Sequence, residues 1–170
     1  MLRRILLAAA VAFLPVALAH AADPQVERGK YLVAIGGCSD CHTPGHFLGH
    51  PDMARFLGGS DVGFGSPMGV FVGPNLTPDK ETGLGNWSAQ QIVTAITTGK
   101  RPDGRLLAPM MPWRSLAVLT TPDALAIAAF LKSLPPISNK VPGPFGPNDT
   151  PTVFVMSVQP GTAYEASRPH

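Results

Sequence analysis

The stretch Gly36-Gly37-Cys38-Ser39-Asp40-Cys41-His42-Thr43 decides how this chain is read. Its two cysteines are the only ones in 170 residues, and C-x-x-C-H is the spacing of a covalent c-type haem attachment site. On a helical turn, positions i, i+3 and i+4 share one face, so Cys38, Cys41 and His42 all address one flat macrocycle. The sulfurs would supply two thioether links and the His42 imidazole a bond to iron. Other uses of the run fit less well. A thioredoxin-like redox pair sits beside a βαβ pattern that this chain lacks, a zinc site needs a fourth ligand, and a disulfide scaffold would use more than one pair. The sequence therefore predicts one covalently bound haem c.

The N-terminus bears on where that cofactor would work. Arg3 and Arg4 precede an apolar run over 5–19, and Ala19-His20-Ala21 supplies a small-x-small cleavage signal, the pattern of a secretory leader cut after Ala21. The run is short for a bilayer span and contains Pro15, which argues against an uncleaved anchor. Export to the periplasm is the expectation. The two leader arginines account for the whole formal charge of +2, so the remaining chain is formally neutral. Without a basic excess or an aromatic-basic stripe, the composition argues against a nucleic-acid partner.

Four helices are legible from their ends. Asp23-Pro24 reads as an N-cap with Pro at the first helical position, opening a helix to Ile35 with Val26, Lys30 and Val33 on one stripe and Leu32 and Ile35 beside it. Ser88 and Gln91 have capping-box spacing ahead of Ile92, Ala95 and Ile96, and Gly99 ends that helix. A short helix is expected over 112–119. The strongest begins at Thr121-Pro122-Asp123, buries Leu125, Ala128, Phe130, Leu131 and Leu134, and stops at Pro135-Pro136. From Thr43 to Gly73 the chain is Gly-rich and without period, which predicts an irregular loop. Beyond about 141, frequent prolines predict an extended tail, with 152–158 as a candidate strand.

An iron held by one histidine needs a second ligand if it is to carry electrons, and a methionine thioether suits it. Chemistry alone leaves Met53, Met68, Met110, Met111 and Met156 as candidates. His46 and His50 follow His42 too closely to reach the opposite haem face and read as surface residues.

Four separated motifs then occur in order: the Cys38–His42 run, Pro74-Asn75-Leu76-Thr77-Pro78-Asp79 continuing to Trp87-Ser88, Asp103-Gly104-Arg105, and Met111-Pro112-Trp113. Together they resemble class I c-type cytochromes, and more narrowly the haem domains in cytochrome c subunits of bacterial alcohol and aldehyde dehydrogenases. The resemblance implies an all-α, cytochrome c-like fold: a few short helices around one haem, with long loops and an extended tail. The resemblance covers residues 23 to about 141, so with the leader and tail read above the chain is expected to comprise a leader (1–21), a cytochrome c domain (22–141) and a Pro-rich tail (142–170). It implies Met111 as the sixth ligand, although Met110 stands where the family has a small or apolar residue. Trp87 or Asn75 is a candidate donor to a haem propionate, Arg105 a candidate ion pair to one, and Pro74 and Leu76 candidate haem-lining residues.

The function implied is electron transfer rather than catalysis. Electrons would come from a dehydrogenase and pass to a cytochrome or oxidase, with peripheral association with a membrane complex as a further implication. The competing reading is an open-site haem, peroxidase-like or gas-binding, in which neither Met110 nor Met111 reaches iron.

Overall fold

The computed structural model describes residues 23–166, and the leader expected over 1–21 lies outside the described residues. Helix α1 (Pro24–Ile35) starts as its sequence requires. The Asp23 carboxylate accepts from the Gln25 N–H at 2.8 Å, and Pro24 takes a first-turn position where a missing N–H costs nothing. Gly36 ends it, and Gly37, left-handed at φ +62°, turns the chain into α2 (Cys38–His42). In α3 (Ala89–Thr98) the capping box is formed in both directions: Gln91 N–H to the Ser88 hydroxyl at 3.2 Å, and Ser88 N–H to the Gln91 side chain at 2.8 Å. Only one turn of the helix expected over 112–119 forms, α4 (Trp113–Leu116). The cap of α5 (Thr121–Ser133) is Thr120 rather than Thr121, its hydroxyl accepting from the Asp123 N–H at 3.2 Å.

The core lies where α1, α3 and α5 meet. Val33, Ile92, Phe130 and Leu131 are buried there with Leu57 from the long loop, each worth roughly 1.5–3 kcal/mol in apolar burial. The buried side of α1 differs from the expected stripe: Gly29, Leu32 and Val33 are covered, while Lys30 and Ile35 are exposed. Gly29 is the reason. A Cβ there would collide with the Ala126 carbonyl and crowd Phe130 Cβ, so α1 and α5 cross with backbone against backbone.

The expectation of an all-α fold needs correction, because the region read as an irregular loop contains a hairpin. Strand β1 (Val62–Ser66) pairs antiparallel with β2 (Gly69–Val72), and β3 (Phe154–Met156) of the tail pairs parallel with β1 to give the order β2-β1-β3. Glycines hid these strands: Gly63, Gly65 and Gly69 remove the alternating apolar signal and carry low strand propensity. They also have a purpose, since a Cβ on Gly63 would sit 2.5 Å from the Val70 side chain. Strand β3 falls inside the segment expected at 152–158, and Phe145 makes a further bridge to Val70, so the tail lies against the domain. A final short helix, α6 (Gly161–Ala166), was not anticipated.

The crossing at Gly29 yields a test. Gly29→Ala should lower unfolding stability by roughly 2–3 kcal/mol through overpacking, despite alanine's better helix propensity, and a denaturant titration read by circular dichroism would show it.

Candidate functional site

The side chains of the C-x-x-C-H run are positioned by backbone contacts from three directions. His42 is 5% exposed, and its Nδ1 lies 2.7 Å from the Pro74 carbonyl. A carbonyl only accepts, so Nδ1 carries the proton and, in the neutral ring, Nε2 keeps its lone pair. Burial lowers the His42 pKa, and the Pro74 carbonyl opposes that shift only in part. The result is a neutral imidazole oriented as a metal ligand, its second nitrogen held by the bond that usually accompanies ligation.

That bond depends on a glycine. A Cβ at Gly73 would overlap the Cys41 carbonyl and come within 3.3 Å of His42 Nδ1, so the strand leaving β2 passes close under α2 only because residue 73 has no side chain. At the other end of the histidine, the Gly59 N–H donates to the His42 carbonyl at 2.8 Å. The Thr43 hydroxyl links the two sides of the turn, contacting the Ser39 hydroxyl at 2.9 Å and accepting from the Leu57 N–H at 3.0 Å.

Both cysteines are free thiols and half-buried. Burial pushes the Cys38 thiol up to about 11, with a smaller upward push from Asp40. The Cys41 thiol is raised as well, again chiefly by burial. A redox-active C-x-x-C pair lowers a thiol pKa to expose a thiolate, and this site does the opposite. Among the described residues there is also no group of three or more His, Cys, Asp or Glu side chains that could hold one metal ion. Cys38, Cys41 and His42 thus do not form a single metal-binding group.

On the far side of the β2 exit lies an apolar cleft of about 320 Å³ bounded by Met68 and Phe71 on one wall and by Leu107, Ala108, Pro109 and Trp113 on another. Neither His42 nor Met110 nor Met111 lines this cleft; its Ala108, Pro109 and Trp113 flank the Met110-Met111 turn in the sequence. That turn is pinned: Leu107 N–H donates to Gly99 O at 2.8 Å, Met111 N–H to Ala108 O at 3.0 Å, and Trp113 N–H to Met111 O at 2.8 Å. The Trp113 ring packs over Gly99, where a Cβ would lie 2.6 Å from it. Met110 and Met111 are both half-buried, while Met53, Met68 and Met156 are exposed.

Several sequence assignments change. Asn75 is 2% exposed and both side-chain ends are committed: Nδ2 to Ile137 O at 2.6 Å and Thr82 Oγ1 at 3.0 Å, Oδ1 to the Thr77 N–H and hydroxyl. It holds the fold together and has no donor left for a propionate. Arg105 is exposed and paired with Asp103 at 2.8 Å. Trp87 packs against the core edge, with the Arg101 guanidinium 5.6 Å from its ring centre. Leu76 packs against the core, and Pro74 contributes its carbonyl. His50 is exposed as expected, and His46 lies 3.2 Å from the Asp40 carboxylate. Gly59, Gly73 and Ile137 were not singled out by sequence reasoning, because nothing local in the sequence signals their contacts with His42, Cys41 and Asn75.

No protein-family model matches the chain. Over 178 aligned residues, 96% of this chain and 36% of the relative, it is 33% identical to the alcohol dehydrogenase (quinone) cytochrome c subunit of Gluconobacter oxydans strain 621H. It is 34% identical to the fructose dehydrogenase cytochrome subunit of Gluconobacter japonicus over 71% of this chain and 24% of that one. Against a diheme cytochrome c-type protein of Cereibacter sphaeroides it is 39% identical over 67% of this chain and 37% of the relative. The chain thus spans between about a quarter and somewhat over a third of these three relatives. Along two thirds or more of its length the chain is similar to cytochrome c proteins and resembles the cytochrome c subunits of bacterial dehydrogenases.

Proposed function

We propose that the chain is an electron-transfer module, not a catalytic one, that holds a single haem c through Cys38 and Cys41 with His42 and Met111 as axial ligands. The observation that carries the reading is the His42 Nδ1–Pro74 hydrogen bond beside two uncharged, half-buried thiols. A bound haem c supplies a one-electron ferric/ferrous couple. The protein's part is to fix its ligands and limit water. Pro74 holds the His42 tautomer and adds basicity to the imidazole. The pinned 107–113 turn offers a half-buried thioether on a rigid support, and its Leu107, Ala108, Pro109 and Trp113 line a largely apolar cleft with Met68 and Phe71.

The donor we infer is a dehydrogenase, because the similar proteins are named as cytochrome subunits of alcohol, fructose and gluconate dehydrogenases. The acceptor would be a further cytochrome or an oxidase, reached from the periplasm or from a complex at the membrane surface. The leader pattern over 1–21 supports export. No helix among the described residues is long and apolar enough to cross a membrane.

Three measurements test this. Protein from a host that matures c-type cytochromes should carry about 616 Da beyond its polypeptide mass, and an unmodified mass would overturn the cofactor. Met111→Ala should abolish the weak near-infrared methionine-to-iron band of the oxidised protein while Met110→Ala retains it; the reverse result moves the ligand by one residue. Wild type should bind carbon monoxide and cyanide slowly, and rapid binding without the band would favour the open-site reading.

A further inference from the structure

His42 is gripped at two ends, by the Pro74 carbonyl at Nδ1 and by the Gly59 N–H at its own carbonyl. The segments that supply these grips bond each other directly, Ser60 N–H to the Gly73 carbonyl and Leu76 N–H to the Leu57 carbonyl, both at 2.9 Å. The chain just after α5 adds a second tie to each of them. Asn139 Nδ2 donates to the Gly58 carbonyl at 2.7 Å, and the Asn139 N–H to Thr82 Oγ1 at 3.1 Å. The Ile137 carbonyl accepts from Asn75 Nδ2, and the Ile137 N–H donates to Thr77 Oγ1 at 3.0 Å. Thr77 in turn donates to Asn75 Oδ1 through both its hydroxyl, at 2.8 Å, and its N–H, at 2.9 Å.

The connection to His42 is covalent and short. The Pro74 carbonyl and the Asn75 N–H belong to one peptide plane, so immobilising Asn75 immobilises the acceptor of the imidazole proton. The network is buried where it matters: Asn75 and Thr77 are 2% and 0% exposed. A buried, fully satisfied network of this kind holds one geometry, since breaking any member leaves a desolvated polar group unpaired.

We propose that Thr77 and Asn139 are positioning residues: Thr77 fastens the Asn75 segment to Ile137 and so holds the Pro74 carbonyl on His42 Nδ1, the Asn139 side chain holds Gly58 beside the Gly59 N–H on the His42 carbonyl, and this clasp tunes the basicity of the imidazole and the reduction potential of its iron. The proposal rests on the haem reading above. Loosening the clasp weakens the bond to Nδ1, leaves the imidazole less electron-rich, stabilises ferric iron less, and raises the potential.

The test uses the haem-loaded full chain, with potentials from spectroelectrochemical titration and g-values from electron paramagnetic resonance of the oxidised form. Thr77→Val is nearly isosteric and removes only the hydroxyl. It and Asn139→Ala should each lower the oxidised-to-reduced ratio at fixed ambient potential threefold or more, where tenfold corresponds to about 59 mV for one electron, and should shift the g-values. Thr77→Ser, which restores the hydroxyl, should match wild type. Ser88→Ala, which removes the α3 cap and costs about 1 kcal/mol of stability, should leave both readouts unchanged. If Thr77→Val and Asn139→Ala load haem with wild-type potential and g-values, or if Ser88→Ala moves them equally, the clasp proposal is overturned. Should Thr77→Val fail to load, the half-exposed Asn139→Ala decides by the same criterion. A wild-type chain without covalent haem would instead overturn the haem reading itself.

Discussion

The hydrogen bond between His42 Nδ1 and the Pro74 carbonyl constrains everything around it. Energetically it is one bond, worth about 0.5–1.5 kcal/mol net. Its consequence is chemical: a neutral imidazole has one N–H, and committing it to Pro74 decides which nitrogen is left with a lone pair. To make it, the chain must bring residue 73 against the α2 backbone, which only glycine allows. It must also turn back sharply at Leu57, a fully buried residue held at φ +58°. Such a left-handed leucine costs on the order of 1–2 kcal/mol, and its backbone is secured at both ends, by Leu57 N–H to Thr43 and by Leu76 N–H to the Leu57 carbonyl.

The helices serve as the frame from which these loops hang. Gly29 lets α1 and α5 approach closely enough to make the central contact, and α5 then reaches out to fasten the segment that follows Pro74. Lys132 Nζ donates to the carbonyls of Gly85 and Trp87, both at 3.0 Å, and to Leu84 at 3.4 Å. Three carbonyls replace much of the water that a half-buried ammonium loses. The same helix thus fixes the 84–87 loop through its last turn and the 75–77 segment through the residues just beyond it. Support for the histidine comes from a helix with which it makes no hydrogen bond.

The legibility of the chain follows from how local each signal is. Asp23, Ser88 and Gly99 act on neighbours within three or four residues, so their helices were readable, and the C-x-x-C-H run is likewise one turn long. Thr120 took the cap from Thr121 because both offer the same hydroxyl one residue apart, an ambiguity inherent in a Thr-Thr pair. The hairpin was not readable because its strands are interrupted by glycine and one pairs with a segment some ninety residues later. Asn75 was noticed for its chemistry and given the wrong use. Its amide is a good donor to anything, and only the fold shows that Ile137 and Thr82 arrive first.

Burial also sets these two cysteines against redox exchange. A thiol held near 11 by desolvation is almost wholly protonated at neutral pH, so Cys38 presents an uncharged sulfur to its apolar surroundings. Since the thiolate is the reactive form, a packed α2 slows every reaction of that sulfur, disulfide exchange and thioether formation alike.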